Sequence, residues 1–232
     1  MRIRRLAGAT ALATFAASLT LFASPSPAQA ADSVILPVTS HWQTLADNHH
    51  VYVSAPGDDA VVATDHDGRV LKTVEGLDGA RGMTLSGDES TLYVALPDAD
   101  AIAAIDTTTL TETRRFATGS DTEPENLAVA GGKLWFSYQA TVFDAGIGSI
   151  SVADTDPVVE LDRNPVWYGK PRLASSPARP DRLVAAESTG APGMRTYDVS
   201  SGSAQEVAYT DAAFRVDDLA ITPDGETAVT AA

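Results

Sequence analysis

The stretch HVYVSAPGDDAVVATD, residues 50–65, has the pattern of two short apolar strands joined by a turn. Its counterpart STLYVALPDADAIAAID, residues 90–106, repeats the same order of aromatic strand, Pro- and Asp-containing turn, and strand of small apolar residues. Aromatic and β-branched residues favour strands, whereas Pro and Asp favour tight turns. Both stretches therefore predict β-hairpins, and their similarity to each other predicts an internal repeat.

The repeat extends along the chain with a period of forty-odd residues. Five strand-like runs recur, and their central residues are 41, 42, 49 and 45 positions apart: Tyr52, Tyr93, Trp135, Val184 and Val229. Each of the first four runs is followed by a second apolar strand, a more polar third strand and a short apolar strand. Four short strands per unit of this length are typical of a propeller blade, and no stretch after residue 31 has a sustained helical period. The sequence predicts an all-β fold, a β-propeller of four-stranded blades.

The pattern also predicts individual strands and core positions. The second strands are expected at residues 60–65, 101–106, 149–154 and 194–199. Tyr52, Tyr93 and Trp135 occupy equivalent strand positions and are predicted to lie in the blade core. Trp42 and Trp167 fall outside this register, so they are expected to make loop contacts.

The number of repeats predicts an incomplete ring. Residues 33–210 supply about four blades, and residues 217–232 supply two strands of a fifth. A closed ring normally completes one blade with strands from both termini, so the propeller domain, residues 31–232, is expected to be a fragment that is incomplete at its C-terminus. In the alternative, residues 33–37 join the last two strands and close a small ring. An open ring would leave an unpaired strand edge exposed.

Three segments carry a family resemblance: residues 50–59, residues 90–95 and LAITPDG at residues 219–225. They look like the YVTN-type β-propeller repeat of bacterial secreted and surface proteins, and the likeness covers the chain from about residue 33 onward. The resemblance implies the propeller fold. It implies little about activity, because such propellers serve as surface-layer proteins, binding modules and occasional enzymes.

The first thirty residues have the pattern of a cleaved signal peptide. Arg2, Arg4 and Arg5 form a basic start, residues 6–22 are apolar, and residues 28–30 read Ala-Gln-Ala. The apolar run is short for a membrane span and is followed by two prolines, so no membrane insertion is expected after cleavage. We therefore expect export through the general secretory route and a secreted, extracellular protein.

Composition excludes several classes of function. The chain has a net charge of −15, and loss of the three leader arginines leaves 13 basic against 31 acidic residues, a net charge of −18. Such an acidic surface repels nucleic-acid phosphates, so nucleic-acid binding is not expected. The chain has no Cys, which excludes disulfides, thiolate metal sites and covalently attached haem.

No motif indicates a catalytic centre, a metal site or a cofactor. His49 and His50 are adjacent and so point to opposite faces of a strand, while His41 and His66 complete no ligand pattern. The Asp-rich turns match no calcium-loop template and are explained by the turn preference of Asp. We expect no catalytic residue, no metal and no bound cofactor.

The best candidate site is the mouth of the central channel. The residues before each innermost strand should meet there, and alignment of Met83, Leu127, Leu173 and Leu219 identifies them. The candidate ligand-binding residues are Arg81, Glu125, Asn126, Arg172, Asp217 and Asp218. Their mixed charges could bind a polar ligand, or they could pair with one another in a structural role.

Three functions are compatible with this pattern. The first is a non-catalytic surface or secreted module that binds an extracellular protein, a glycan or a small polar ligand. The second is a lactonase-like or lyase-like propeller enzyme with acid–base residues at the channel mouth, for which Glu125 and Asp217 are candidates. The third is a quinoprotein-like propeller with a non-covalent cofactor. We expect the first, because carboxylates alone specify no reaction.

Overall fold

The structure, a computed structural model, describes residues 34–141 and 144–231, and for residue 140 and residues 163–166 it describes the backbone alone. In these ranges the chain forms four antiparallel sheets of four strands and one of two strands. The first sheet contains β1 (Thr44–Ala46), β2 (Val51–Ala55), β3 (Ala60–Thr64) and β4 (Val70–Glu75). The second contains β5 (Met83–Leu85), β6 (Thr91–Leu96), β7 (Ala101–Asp106) and β8 (Thr111–Ala117).

The remaining sheets follow the same order along the chain. The third contains β9 (Leu127–Ala130), β10 (Lys133–Thr141), β11 (Asp144–Ile150) and β12 (Val159–Trp167). The fourth contains β13 (Arg172–Ser176), β14 (Arg179–Ala186), β15 (Pro192–Asp198) and β16 (Gln205–Phe214). The two-stranded sheet contains β17 (Asp218–Ile221) and β18 (Ala228–Ala231). Within the described ranges no helix is long and apolar enough to cross a membrane.

Each sheet is a meander whose strands run in chain order from one edge to the other. The first strands of successive sheets, β5, β9, β13 and β17, lie next to one another, and the sheets pack face to face. This is the blade arrangement of a β-propeller, with β1, β5, β9, β13 and β17 innermost. The predicted fold class is confirmed.

Buried side chains hold neighbouring blades together. Tyr52 and Leu92 belong to one apolar cluster between blades 1 and 2, whereas Tyr93 and Leu134 belong to the next cluster, between blades 2 and 3. Trp135 packs in the cluster between blades 3 and 4. Because side chains alternate along a strand, each second strand supplies both of its faces to the core. The predicted core positions of Tyr52, Tyr93 and Trp135 are confirmed.

The structure departs from the sequence analysis at three points. The innermost strand β1 was missed, because it is three residues long and only partly buried. The second strand of blade 3 was expected at residues 149–154, but β11 ends at Ile150, because β10 runs on to Thr141 and pairs with residues 144–150. Trp167 was expected in a loop, yet it ends β12 and is buried against blade 4.

Ring closure by residues 33–37 also fails. Residues 34–37 form no strand, the described part of the last sheet contains only β17 and β18, and Ser33 lies outside the described residues. The chain instead runs along blade 1, where the Thr39 amide donates to an oxygen of Asp58 and the side chain of Val34 approaches Gly68. The predicted signal peptide, residues 1–30, also lies outside the described residues.

A Pro–Asp turn links neighbouring blades. In blade 2 a 3₁₀ turn, Pro97–Ala99, ends at Asp100 with φ of 47°. Asp tolerates this left-handed conformation better than most residues. Its two carboxylate oxygens accept the backbone amides of Asp121 and Glu123, at 2.9 and 2.8 Å. In blade 1, Asp59 has the same conformation and accepts the amide of Gly79. The Asp-rich turns at these positions therefore have a structural role.

We expect Asp100→Ala to lower the free energy of unfolding by about 1–2 kcal/mol, because two backbone amides lose their acceptor and Ala is disfavoured at positive φ. Urea denaturation measures this change. The matched control is Asp98→Ala in the same turn, because the Asp98 carboxylate accepts no hydrogen bond within the described residues. Equal stability of the two variants would refute the structural role of Asp100.

Aspartates in the hairpin turns accept hydrogen bonds from neighbouring hydroxyl and amide groups, and these bonds lower their pKa values. The Asp88 carboxylate accepts the hydroxyls of Ser86 and Ser90 and the amide of Ser90. These hydrogen bonds lower the pKa of Asp88 from 3.8 to about 2. The pKa of Asp106 is lowered by bonds from Thr109, and that of Asp198 by bonds from Ser200.

A carboxyl with a lowered pKa stabilises the fold above its unfolded pKa, and this contribution is lost as the pH falls towards its folded pKa. We therefore expect Asp88→Asn to be less stable than the parent chain at pH 7. The difference should narrow as the pH falls from about 4 towards about 2. Denaturant unfolding at a series of pH values measures this, and a difference that stays constant would contradict the assignment.

Candidate functional site

The inner rim of the blades brings most of the predicted site residues together. The Gly82 amide donates to the Glu125 carbonyl at 3.0 Å, which joins the starts of β5 and β9. Beside this bond, Arg81 Nη1 lies 2.6 Å from Glu125 Oε2 in an ion pair. The cation of blade 2 is therefore paired with the carboxylate of blade 3.

Asn126 makes the next link around the rim. Its side chain is buried, and Nδ2 donates to the Ser137 hydroxyl and to the Pro171 carbonyl, both at 3.0 Å. Its Oδ1 accepts Arg172 Nη1 at 2.9 Å. The Asn126 amide thus satisfies groups of blades 3 and 4 at once, which fixes the position of the Arg172 side chain.

The predicted acidic pair stands apart from this network. Asp217 and Asp218 are exposed, and the Asp218 carboxylate accepts the amide of Leu219. Both border a hollow of about 430 Å³ at the rim, together with Arg172 and Trp42. The structure therefore places them near Arg172 without an ion pair to it among the described residues.

Sequence reasoning missed two rim residues in blade 1. Trp42 and Gln43 precede β1 as Arg81 and Gly82 precede β5. The guanidinium carbon of Arg81 lies 4.9 Å from the Trp42 ring centre, and that of Arg172 lies 5.8 Å from it. Two cations over one indole ring form cation–π contacts. The expected loop contact of Trp42 is confirmed, and it lies at the rim.

Gln43 connects blade 1 to blade 2. Its side-chain Oε1 accepts the backbone amide of Met83 at 2.6 Å, and its backbone amide donates to Ser54 Oγ. A spacing rule could have found both residues. In blade 3, Trp135 on β10 pairs with Ala128 on β9, seven positions earlier in the chain. The same step back from Tyr52 on β2 reaches Leu45 on β1, and Trp42 and Gln43 come just before this strand.

A second cleft, of about 950 Å³, opens beside this rim. Arg81, Glu125, Tyr168, Lys170 and the loop of residues 188–192 line it. Lys170 Nζ lies 3.1 Å from Glu123 Oε2 and 3.8 Å from Glu125 Oε2. The volume lies in the range of small-molecule sites. Neither Lys170 nor Tyr168 was among the predicted residues, because they precede the two aligned rim positions.

Glu187 holds the wall of this cleft in place. Its buried carboxylate accepts the backbone amides of Tyr168, Gly169 and Thr189, as well as the Thr189 hydroxyl. Four hydrogen bonds satisfy a buried charge that would otherwise be costly. Glu187 thereby fixes the backbone on both sides of Lys170.

His41 and His50 make local side-chain contacts in blade 1. Within the described residues no group of three or more His, Asp or Glu side chains is placed to hold an ion. His50 Nδ1 lies 3.2 Å from the Tyr52 hydroxyl, which donates to Asp47 Oδ2. Burial opposes a low pKa for Asp47, but hydrogen bonds from Tyr52 and from the His49 and His50 amides outweigh it and lower that pKa. His41 hydrogen-bonds to Thr44 and borders the hollow at the rim.

Comparison with known proteins supports the fold. No protein-family model and no curated protein sequence matches the chain. Among solved structures, the Myceliophthora thermophila Cps50 (Swd1) β-propeller domain matches with a TM-score of 0.60 and 12% identity, over 82% of this chain and 64% of that one. A putative 6-phosphogluconolactonase from Bacteroides uniformis matches with a TM-score of 0.62 and 14% identity, over 81% and 62%.

A virginiamycin B lyase from Staphylococcus aureus, solved with quinupristin, matches with a TM-score of 0.61 and 16% identity, over 80% of this chain and 60% of that one. At these identities the matches show the β-propeller fold and no activity. The chain spans 55–64% of the length of the first four structures that it matches.

Proposed function

We propose that the chain is a non-catalytic β-propeller that binds an extracellular ligand at its inner rim. The observation that carries this proposal is the pairing of Arg81 with Glu125 and of Arg172 with Asn126, beside two open hollows. Such groups are held in place before a ligand arrives, so they can offer polar contacts at little entropic cost. The ligand classes are a protein, a glycan or a small polar molecule.

Export through a cleaved signal peptide and membership of the YVTN-type repeat proteins belong to the same proposal. The supporting observations are the leader pattern of residues 1–30 and the repeat in residues 50–59 and 90–95. Val207, Tyr209 and Val229 expose apolar side chains on the last two sheets. This exposure favours further strands that complete the ring, since exposed apolar sheet faces and free edges promote aggregation.

A protein-observed NMR screen of small neutral, anionic and cationic compounds and oligosaccharides tests the proposed function. We expect shift changes confined to the inner rim, around Trp42, Arg81, Asn126 and Arg172, and to the cleft beside it, with recovery of each ligand unchanged. Responses confined to the outer strands would contradict the rim as the binding surface.

The second candidate is an enzyme of the lactonase or lyase type. It is favoured by one observation, the cleft in which Lys170, Arg81 and Glu125 meet. The same screen separates the two functions, because an enzyme would convert a bound compound. Conversion that is abolished by Glu125→Gln would replace the binding module with an enzyme.

A further inference from the structure

The Lys170 ammonium lies at the cleft that opens between blades 3 and 4. Its side chain is only 8% exposed, although the protein as a whole is strongly acidic and its other charges lie mostly at the surface. Lys is rarely buried this far without a specific partner. The partner in this structure is Glu123, whose side chain is 62% exposed.

The ammonium has more hydrogen-bonding capacity than the protein uses. It has three N–H donors, and within the described residues Nζ makes one hydrogen bond, to Glu123 Oε2 at 3.1 Å. Glu125 Oε2 lies beyond hydrogen-bond distance, at 3.8 Å, and this same oxygen is already held by Arg81 Nη1 at 2.6 Å. Two cations therefore lie near one partly buried carboxylate oxygen, and the second carboxylate, that of Glu123, is a solvated side chain.

The backbone that carries Lys170 is fixed before any ligand arrives. Glu187 holds the amides of Tyr168 and Gly169, and the Ser188 hydroxyl donates to the Lys170 carbonyl at 2.8 Å. Gly169 packs so closely on Thr189 that a Cβ there would lie 2.3 Å from Thr189 Cγ2. A fixed cation loses little conformational entropy on binding an anion, which favours affinity.

The wall of the cleft beside Lys170 is apolar and open. The Tyr168 side chain is 61% exposed, and Ala191 and Pro192 line the same cleft. Gly190 has no atom within 4 Å of the position that a Cβ would take, so the loop leaves space above the wall. An aromatic ring and a proline beside a cation form a surface for a planar apolar group.

We propose that this cleft binds a small organic acid, whose carboxylate replaces Glu123 on Lys170 and reaches Arg81, while its apolar body lies on Tyr168 and Pro192. The inference rests on the proposed binding function and names the ligand class of the rim. Charge-assisted hydrogen bonds to the two cations supply specificity for the carboxylate. Once Glu123 is displaced, the cations of Lys170 and Arg81 outnumber the remaining carboxylate of Glu125, so this cleft differs in charge from the acidic surface elsewhere.

Titration of the full chain with phenylacetate, followed by Trp42 fluorescence and by the amide signals of Gly169, Ser188 and Gly190, tests the inference. Trp42 contacts Arg81, whereas Trp135 and Trp167 are buried between blades and supply a constant background. We expect phenylacetate to bind at least about tenfold more tightly than the neutral phenylacetamide and than acetate, which lacks the apolar body.

Variants locate the site. Lys170→Gln should weaken phenylacetate binding by about tenfold or more, and Lys170→Arg, which keeps the cation, should restore most of it. The matched control is Lys72→Gln on β4, which should bind as the parent chain does. Dispersed NMR spectra of each variant show that it is folded.

The inference is overturned by equal affinity for phenylacetate and phenylacetamide, by unchanged affinity of Lys170→Gln, or by no phenylacetate binding up to about 10 mM. Equal affinity for acetate would overturn the apolar part of the ligand class. In each of these cases a rim response to other compounds leaves the proposed function standing. Conversion of phenylacetate, or responses to the compounds of the screen that are confined to the outer strands, would instead remove the proposed function.

Discussion

Gly82→Ala is expected to lower the free energy of unfolding by more than about 3 kcal/mol, one of the largest effects that a single substitution in this chain should have. A Cβ at residue 82 would lie 2.0 Å from the Glu125 carbonyl oxygen and 3.1 Å from Asn126 Cα. Backbone atoms cannot rotate away as a side chain can, so β5 and β9 must separate. The Gly82–Glu125 hydrogen bond and the Arg81–Glu125 ion pair would be strained together.

The matched control is Gly87→Ala in the turn between β5 and β6. Nothing lies within 4 Å of a Cβ at that position, so its stability should change by less than about 0.5 kcal/mol. Urea denaturation of both variants measures the difference. A Gly82→Ala protein as stable as Gly87→Ala would show that the inner strands of blades 2 and 3 are not in contact.

Glu187→Ala is the second large effect, and we expect a loss of about 3 kcal/mol. Removal of the carboxylate leaves the backbone amides of Tyr168, Gly169 and Thr189 without their acceptor. Glu187→Gln should lower the free energy of unfolding by less than Glu187→Ala, because the amide oxygen of Gln still accepts hydrogen bonds. It should still be less stable than the parent chain, because the NH₂ group of Gln faces an N–H that needs an acceptor.

Hydrogen exchange measures the local part of this effect. In Glu187→Ala the amides of residues 168, 169 and 189 should exchange faster, while those of β2 and β3 in blade 1 should keep their relative protection. Unchanged exchange at the three amides would contradict the role of Glu187 at the cleft. The order of stability should be the parent chain, then Gln, then Ala.

The blade repeat could be predicted from the sequence because its signal lies in local alternation and spacing. Tyr52, Tyr93 and Trp135 mark equivalent strands, and each is buried between blades. The rim positions Arg81, Glu125 and Arg172 were found by the same alignment, since equivalent residues of a radial repeat meet at one end of the axis. Whether they bind a ligand is a prediction that the NMR screen tests.

The missed residues have a different physical origin. Trp42 precedes a strand that is only three residues long and has no fully buried residue, so the first blade was aligned from β2 instead of β1. Lys170 and Glu187 belong to two separate loops, and their relation depends on contacts between residues eighteen positions apart that no local pattern encodes. β12 shows the same limit, since its end at Trp167 is decided by packing against blade 4.

The most direct test of the radial arrangement is a nuclear Overhauser effect between residues 82 and 126, which are 44 positions apart in the chain. The position of a Cβ on Gly82 lies 3.1 Å from Asn126 Cα, so the α protons of the two residues should be close. We predict a strong effect between them and a slowly exchanging Gly82 amide, as its bond to the Glu125 carbonyl requires. A folded protein in which Gly82 shows contacts only within its own sheet would contradict the shared rim, and with it the proposed site.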